Sequence, residues 1–481
     1  MRPRSGGRTG DRQRNLALAV GLIAAFMTLL DVSIVNVAVP SIQRALKASP
    51  SELQWVLSGY ALTFGLVLVA AGRFGDIRGR RNVFIAGLAL FTLASAAAGL
   101  ATSPEWLIIA RLIQGAAAGI VNPQVVGMIE QMFQGPERGR PFGLLGSVIG
   151  ISTAVGPLLG GLLIALIGTH EGWRLVFFVN VPVGIAAIVF GWRVLPAHRP
   201  GPRQSLDPVA VLLLGIGVTL LLLPLIEERQ WQGWLKWLLV PAAGLVLAGF
   251  VHWERRYRRR GEPLFDLALF RHRSYTLGCL LALLFFAGFT ALFFVFTLFL
   301  QNGLRYSALA AGISVTPFAL GSALSAILGG RLVNRYGRPL VAIGLVLVAI
   351  GVVGIMVALH FVPGRGAPYA TAIPILLAGV GSGLVITPNQ TLTLAEVPVE
   401  RGGSAAGMLQ TGQRIGSAAG IAGVGTVFFS ALAATHGGWS RAFRDALLIT
   451  LGFVLIALAA AVVDILAGRR EARRHAAGAG R

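Results

Sequence analysis

Long apolar stretches follow one another along almost the whole chain, separated by short polar segments. Fourteen of them are long enough to cross about 30 Å of hydrocarbon as helices, since a crossing needs roughly 20 residues. The predicted spans are 15–38, 53–72, 82–101, 106–130, 141–168, 173–195, 207–226, 234–253, 275–300, 308–330, 339–361, 369–395, 404–433 and 443–467. The pattern predicts an all-α integral membrane protein with 14 transmembrane helices.

The composition supports this interpretation and explains the unusual charge. The 481 residues are 55% apolar and 12% charged, and the net charge is +22; soluble domains are roughly 25% charged. In a soluble protein that net charge would indicate nucleic-acid binding. Here most of the 41 Lys and Arg residues fall at the termini and in alternate loops, as the positive-inside rule requires. We therefore expect a multi-pass protein of the cell (plasma) membrane, with both termini cytoplasmic and no nucleic-acid partner.

The segment that follows span 2 recurs after span 10. Residues 72–81 align with residues 330–339 at a shift of 258, with Asp76 on Asn334, Gly79 on Gly337 and Arg80 on Arg338. A shift of eight spans predicts two six-helix pseudo-symmetric bundles, related by an axis along the membrane normal, with two inserted helices between them.

This repeat divides the chain into seven parts. They are an N-terminal cytoplasmic tail 1–14, an N-terminal six-helix bundle 15–195, a cytoplasmic linker 196–206, the inserted helices 207–253, a basic cytoplasmic linker 254–273, a C-terminal six-helix bundle 274–467 and a basic cytoplasmic tail 468–481. The inserted helices are almost wholly apolar, so we expect them to face lipid.

Five motifs occur in order along this profile. They are residues 30–40 in span 1, with Ser33 where Thr is commoner, residues 72–81, residues 111–115 in span 4, the glycine-rich residues 146–161 in span 5, and residues 173–182. On these motifs the chain resembles the fourteen-helix drug:proton antiporter branch of the major facilitator superfamily. The resemblance implies a secondary active transporter that exports a lipophilic drug or antibiotic-like molecule in exchange for protons by alternating access. It implies the proton gradient as energy source, no cofactor and no metal.

One acidic residue, Asp31, lies far from both ends of a predicted span. A charge at that depth costs about 2.5 to 3.5 kcal/mol on insertion scales. Counted along the helices at about 1.5 Å per residue, Arg111 of span 4 lies at a similar depth. A nearby guanidinium favours an ionised carboxylate and burial opposes it, so a proton carrier requires the distance between the two to change. We predict proton coupling by Asp31 and Arg111; a permanent buried ion pair is the alternative.

The glycine-rich span 5 and the loop after span 2 are the candidate moving parts. The antiporter motif comprises Gly146, Gly150, Gly156, Pro157, Gly160 and Gly161, and it indicates either a kinked flexible joint or close helix packing alone. In the loop, Gly72, Gly75 and Gly79 permit a tight turn. Asp76 and Arg80 are predicted to form a gating latch, with Asp76 contacting the opposite half.

Polar residues within the spans are the candidate lining of a substrate cavity. Gln410, Gln413 and Arg414 share one helix face. The other candidates are Asn36, Gln114, Asn122, Asn389 and Gln390. Span 10 contains no carboxylate, so we favour a lipophilic monocation or a neutral or zwitterionic substrate. The phenylalanines of span 9 are predicted to pack or face lipid, with some contacting a drug, and Asp464 near a helix end is expected to be solvated.

Other functions fit the sequence less well. A proton-coupled metabolite exporter or symporter on the same fold is the main alternative, and a channel or a membrane-embedded enzyme is a weaker one. The seven His residues lie near helix ends or in loops, without metal-ligand spacing. We expect no enzyme activity; the expected partners are a small-molecule substrate, protons and the lipid bilayer, with the protein a monomer.

Overall fold

A computed structural model describes residues 7–133, 137, 139–168, 170–195, 207–227, 231, 233–258, 263, 265, 267–362, 364–395, 397 and 402–479. The regular secondary structure of these residues is helical throughout. The α-helices are α1 (Gly7–Leu46), α2 (Pro50–Arg78), α3 (Arg80–Gly99), α4 (Pro104–Met132), α5 (Gly139–Ile167), α6 (Gly172–Phe178), α7 (Asn180–Val194), α8 (Pro208–Ile226), α9 (Leu239–Tyr257), α10 (Arg273–Leu298), α11 (Ala308–Tyr336), α12 (Arg338–Phe361), α13 (Ala367–Leu394), α14 (Gly402–Ala434) and α15 (Trp439–Ala479).

The helices coincide with the fourteen predicted spans. In the described part of the chain, thirteen helical stretches are long and apolar enough to cross a membrane. The remaining predicted span, span 5 (141–168), corresponds to α5. Span 6 is formed by α6 and α7, which are interrupted at Val179. The predicted all-α membrane fold class is confirmed.

Local sequence signals mark the ends of several of these helices. Ser49 accepts a hydrogen bond from the backbone N–H of Glu52, and the Glu52 side chain accepts one from the backbone N–H of Ser49, a capping box at the start of α2. A single glycine, Gly79, separates α2 from α3 with φ of 98°, and Gly337 separates α11 from α12 with φ of 58°. Only glycine adopts such angles without strain, so each repeat of the loop is a one-residue turn.

The chain forms two compact units. The first comprises residues 1–221 and 237–264, and the second comprises residues 222–236 and 265–481. Within the first unit, α4 packs on α2 and α3, and α1 packs on α5. Within the second unit, α13 packs on α11 and α12, and α10 packs on α14 and α15.

The same kind of close glycine contact occurs within each of the two units. In each unit two glycines of one helix approach backbone carbonyl groups of its neighbour so closely that a Cβ atom would not fit. The pairs are Gly115 with Tyr60, Gly119 with Phe64, Gly379 with Phe318, and Gly383 with Ser322. The carbonyl partners are again 258 residues apart. The sequence repeat of the loops therefore extends to the packing of α2 on α4 and of α11 on α13.

The inserted helices are joined at one end by a polar contact. Asp207 caps α8 by accepting a hydrogen bond from the Ala210 N–H, and it accepts another from Trp253 Nε1 of α9 at 2.9 Å. Large apolar side chains of both helices are exposed, for example Leu212 and Leu245. Exposed leucines suit a lipid-facing surface.

Candidate functional site

A buried ion pair lies inside the first unit. Asp31 of α1 accepts a hydrogen bond from Arg111 Nη1 of α4. Their side chains are 0% and 1% exposed. An unpaired charge at such a position is expensive, so the two charges stabilise each other in this arrangement. The prediction that the two lie at one depth is confirmed by their contact.

Two amides complete the surroundings of the carboxylate. Asp31 Oδ1 accepts hydrogen bonds from Gln114 Nε2 and Asn180 Nδ2, each at 2.9 Å. Ser95 Oγ accepts from the same two amides at 3.1 Å and donates to the Phe177 carbonyl oxygen at 2.9 Å. Three N–H donors, one each from Arg111, Gln114 and Asn180, therefore point at one carboxylate and fix its position.

The guanidinium of Arg111 is held independently of Asp31. Its Nε donates to the Val56 carbonyl oxygen at 3.1 Å, and its Nη1 also donates to Gln114 Oε1 at 2.8 Å. Its Cζ lies 4.1 Å from the centre of the Tyr60 ring, a cation–π distance. A positive charge at this position therefore keeps several favourable contacts when the carboxylate is neutral.

A short polar connection leads away from the ion pair along α1. Thr28, one turn before Asp31, accepts a hydrogen bond from Asn122 Nδ2 at Oγ1, and its carbonyl accepts one from the Tyr60 hydroxyl, both at 3.0 Å. Asn122 is partly exposed. The predicted cavity residue Asn122 is thus joined to the neighbourhood of the buried acid.

Two members of this cluster were not predicted as site residues. Asn180 was noted only as part of the motif at 173–182, and Ser95 was not singled out. A polar side chain in the middle of an apolar span was the available signal for both. Gln114 was predicted to line a substrate cavity, but the structure buries it fully against Asp31 and Ser95.

Asn36 of α1 is a different kind of candidate. Its side chain is 8% exposed, and its Nδ2 donates to the Val32 carbonyl oxygen at 3.3 Å. Its Oδ1 is buried and accepts no hydrogen bond from the described residues. Its assignment to a substrate cavity stays a prediction.

The glycines of the antiporter motif bring α5 against α1. A Cβ on Gly160 would lie 2.9 Å from the Ile34 carbonyl oxygen, and one on Gly156 would lie 2.8 Å from Ser33 Cβ. Ser33 Oγ also donates to the Ser152 carbonyl oxygen at 2.9 Å. Pro157 lies within α5, which is a single helix. Gly161 is buried, and Gly146 and Gly150 lie in the same helix.

The loop after span 2 is shorter than predicted. Gly72 and Gly75 were expected to form the turn with Gly79, but both lie within α2. The reason is packing, because Gly75 admits the side chain of Gln124 from α4. The guanidinium of Arg80 occupies the space that a Cβ on Gly127 would fill, and it donates to the Pro123 carbonyl oxygen at 3.4 Å. The side chain of Asp76 lies outside the described residues.

The second unit contains its own buried charge network at the start of α12. Arg338, the repeat counterpart of Arg80, contacts Asp464 of α15 at 2.6 Å, and Arg273 contacts the same carboxylate at 3.3 Å. Asp464 is 4% exposed, so the expectation that it is solvated is wrong. Its two arginine partners, from α10 and α12, offset the free-energy cost of burying the Asp464 carboxylate.

Asn389 belongs to this network. Its Oδ1 accepts from Arg338 Nη1 at 2.6 Å, and its Nδ2 donates to the Gly278 carbonyl oxygen at 3.0 Å. The side chain is 3% exposed and both ends of its amide are occupied. A cavity-lining role, as predicted, has no support from this placement. Its neighbour Gln390 is partly exposed.

The polar stripe of α14 has a buried end and a partly exposed end. Ser417 is buried and its Oγ lies 2.9 Å from Thr290 Oγ1 of α10. Gln410, Gln413 and Arg414 are partly exposed. This placement is compatible with the predicted contact to substrate.

Comparisons with known proteins agree with this fold. The profile of the Major Facilitator Superfamily matches residues 21–421. A probable actinorhodin transporter of Streptomyces coelicolor is 37% identical over 441 residues, which cover 89% of this chain and 76% of that protein. A tetracenomycin C resistance and export protein of Streptomyces glaucescens is 34% identical over 434 residues, with 89% and 78% covered.

Among solved structures, an autoinhibited POT family peptide transporter superposes with a TM-score of 0.66. The superposition covers 95% of this chain and 97% of that one, at 16% sequence identity. At that identity the likeness concerns the fold alone.

Proposed function

The chain belongs to the major facilitator superfamily, and from that premise we propose that it exports an antibiotic-like small molecule in exchange for protons. Members of this family carry small molecules through the membrane, so the chain is a multi-pass transporter and not an enzyme. The finer assignment to export is supported by relatives whose names describe an actinorhodin transporter and a tetracenomycin C export protein.

The buried Asp31–Arg111 pair carries the proposal of proton coupling. In the present arrangement three N–H groups donate hydrogen bonds to the carboxylate. A proton on Asp31 removes its charge and weakens its attraction to Arg111. Arg111 then stays in place through Val56, Gln114 and Tyr60. Protonation of Asp31 is thereby linked to a rearrangement of α1 against α4.

The proposal also covers the energy source, the membrane and the oligomeric state. The proton gradient is the energy source, and no cofactor takes part. The positive-inside distribution of Arg residues supports a cell (plasma) membrane protein with both termini in the cytoplasm. We propose that a monomer is the transporting unit.

Reconstituted vesicles test the proposal with a single substitution. Asp31→Asn keeps the size and hydrogen-bonding capacity of the side chain but cannot bind or release a proton. In vesicles loaded to give a pH gradient, wild-type protein is expected to accumulate actinorhodin or tetracenomycin C against a concentration gradient. Asp31→Asn is expected to abolish this accumulation while downhill movement of the same probe continues.

A matched control separates coupling from general damage. Asp445→Asn makes the same chemical change in α15, where the Asp445 side chain is 32% exposed, and accumulation should stay near the wild-type level. Unchanged accumulation in Asp31→Asn would refute the coupling role. Movement of probe and proton in the same direction would favour a symporter instead.

A further inference from the structure

The exposed face of α9 changes from apolar to basic along its length. Residues that alternate in steps of four and three share one face of a helix, and the exposed residues of α9 at this spacing are Pro241, Leu245, Ala248, His252 and Arg255. The helix rises about 15 Å from Leu245 to Arg255, which is half of a hydrocarbon core of about 30 Å. This face therefore matches the depth of one leaflet, with its basic end at the headgroups.

Three exposed arginines, Arg255, Arg256 and Arg258, form a basic cluster at the end of α9. Their side chains make no ion pair or hydrogen bond with another residue in the part of the chain that the structure describes. The adjacent acid, Glu254, is 1% exposed and lies on the opposite face of the helix. Residues 254–273 contain seven arginines and three acidic residues, so the surroundings of the basic cluster are positive.

Aromatic residues place the basic cluster at the surface of the bilayer. Trp253 and Tyr257 stack with their ring centroids 6.2 Å apart, and Trp237 near the other end of α9 is 44% exposed. Trp237 and Trp253 are about 24 Å apart along the helix, and tryptophan and tyrosine favour the two interfaces of a membrane. Trp253 Nε1 donates to both carboxylate oxygens of Asp207, at 3.1 and 2.9 Å. The Asp207 carboxylate is therefore engaged by Trp253 beneath the basic cluster.

We propose that an anionic phospholipid of the membrane binds along α9, with an acyl chain on the face of Leu245 and its phosphate at Arg255, Arg256 and Arg258. Guanidinium groups bind phosphate through paired, charge-assisted hydrogen bonds. The open surface continues beside Leu245, because a Cβ on Gly244 would meet nothing within 4 Å. An acyl chain and an anionic headgroup thus fit the two parts of this one face.

A second copy of the chain is a poorer occupant of this face. In a membrane, two copies related by an axis along the membrane normal meet through the same surface at the same depth. Their basic clusters would then oppose each other, and like charges repel. A lipid headgroup brings the opposite charge to the same place.

Native mass spectrometry of the purified full-length protein tests the lipid site. Dioleoyl phosphatidylglycerol and dioleoyl phosphatidylcholine share their acyl chains and differ in headgroup charge. The first bound phosphatidylglycerol should be held roughly tenfold more tightly than the first phosphatidylcholine, and glycerol phosphate at millimolar concentration should not displace it. Equal binding of the two lipids overturns the proposal. Displacement by glycerol phosphate, or a stable dimer without bound lipid, would assign the face to another occupant and overturn it as well.

Substitutions assign the lipid preference to the basic cluster. The double variant Arg255→Gln and Arg256→Gln should weaken phosphatidylglycerol binding about tenfold, close to the level of phosphatidylcholine. The control, Arg441→Gln with Arg444→Gln, removes the same charge from exposed positions of α15 and should leave the preference in place. Unchanged phosphatidylglycerol binding in the α9 variant contradicts the site.

Two further variants keep the test decisive if the double glutamine variant does not fold. Arg255→Lys with Arg256→Lys retains both charges and should retain the preference for phosphatidylglycerol; loss of the preference would refute the electrostatic assignment. Leu245→Gln should weaken both lipids alike, whereas Leu448→Gln at an exposed position of α15 should not. Unaltered binding in Leu245→Gln would remove the acyl-chain half of the proposal. These measurements use neither substrate nor gradient, so their outcome is independent of the proposed export.

Discussion

The Asp31 carboxylate of α1 lies in a polar cluster whose other side chains come from three helices, α3, α4 and α7. Gln114 is the central connector, because its Nε2 donates to Asp31 while its Oε1 accepts from Arg111. It therefore stabilises both charges in their paired state. Asn180 donates to the same carboxylate but does not contact Arg111 in any described hydrogen bond.

Removing one donor should weaken the polar cluster around Asp31. In Asn180→Leu the carboxylate loses a hydrogen bond, and bonds to charged groups are worth about 1.5 to 3 kcal/mol. The melting temperature in detergent should therefore fall below that of the wild type. A melting temperature that stays level or rises contradicts the role of Asn180.

At the scale of helices, close contact between α1 and α5 depends on glycine. Gly160→Ala places a methyl group 2.9 Å from both Ile34 Cγ1 and the Ile34 carbonyl oxygen. Overpacking of this kind costs about 1 to 3 kcal/mol, so the melting temperature in detergent should fall. Gly423→Ala in α14 is the control, because nothing lies within 4 Å of the added methyl group, and its melting temperature should stay level or rise. Equal melting temperatures for the two variants would exclude a tight α1–α5 contact.

The charge network of α10, α12 and α15 predicts a second stability effect. Asp464→Asn leaves Arg338 and Arg273 without their shared counter-ion. Breaking a buried pair costs about 3 to 5 kcal/mol, so this variant should melt well below the wild type. Asp445→Asn, at a partly exposed position of the same helix, should melt near the wild type. A normal melting temperature for Asp464→Asn would mean that the network does not stabilise this unit.

The sequence predicted the elements better than their ends and contacts. All fourteen spans were found because the length of an apolar stretch alone decides whether a helix can cross a bilayer. The continuation of α2 through Gly72 and Gly75 was missed, since those glycines are required by the side chain of Gln124 on another helix. The interruption at Val179 was missed as well; Pro182 lacks the N–H that continues the preceding turn.

The sequence likewise predicted only some residues of the candidate site. Asp31 and Arg111 were predictable because isolated charges are costly within a span. Ser95 and Asn180 were not, because neutral polar residues are tolerated in many places and only the fold brings these two to the carboxylate. Asp464 was misjudged because its arginine partners come from distant segments of the sequence.

For the whole molecule, substrate charge determines how membrane voltage affects export. Exchange of one proton for one monocation moves no net charge. Exchange of one proton for one neutral molecule moves one charge, worth about 2.3 kcal/mol per 100 mV. A potassium diffusion potential without a pH gradient should therefore drive uptake of a neutral probe into vesicles in the export direction, but not uptake of a monocationic probe. An equal response of the two probes to the voltage would contradict this charge balance.

The central claim is that Asp31 carries the proton that is exchanged for substrate. Its most direct test is proton movement driven by substrate alone, recorded with a pH-sensitive dye inside vesicles that start without a pH gradient. Imposing a gradient of an exported probe should change the internal pH with wild-type protein. With Asp31→Asn the probe should equilibrate while the internal pH stays constant. A pH change of the same size in the variant would contradict the account.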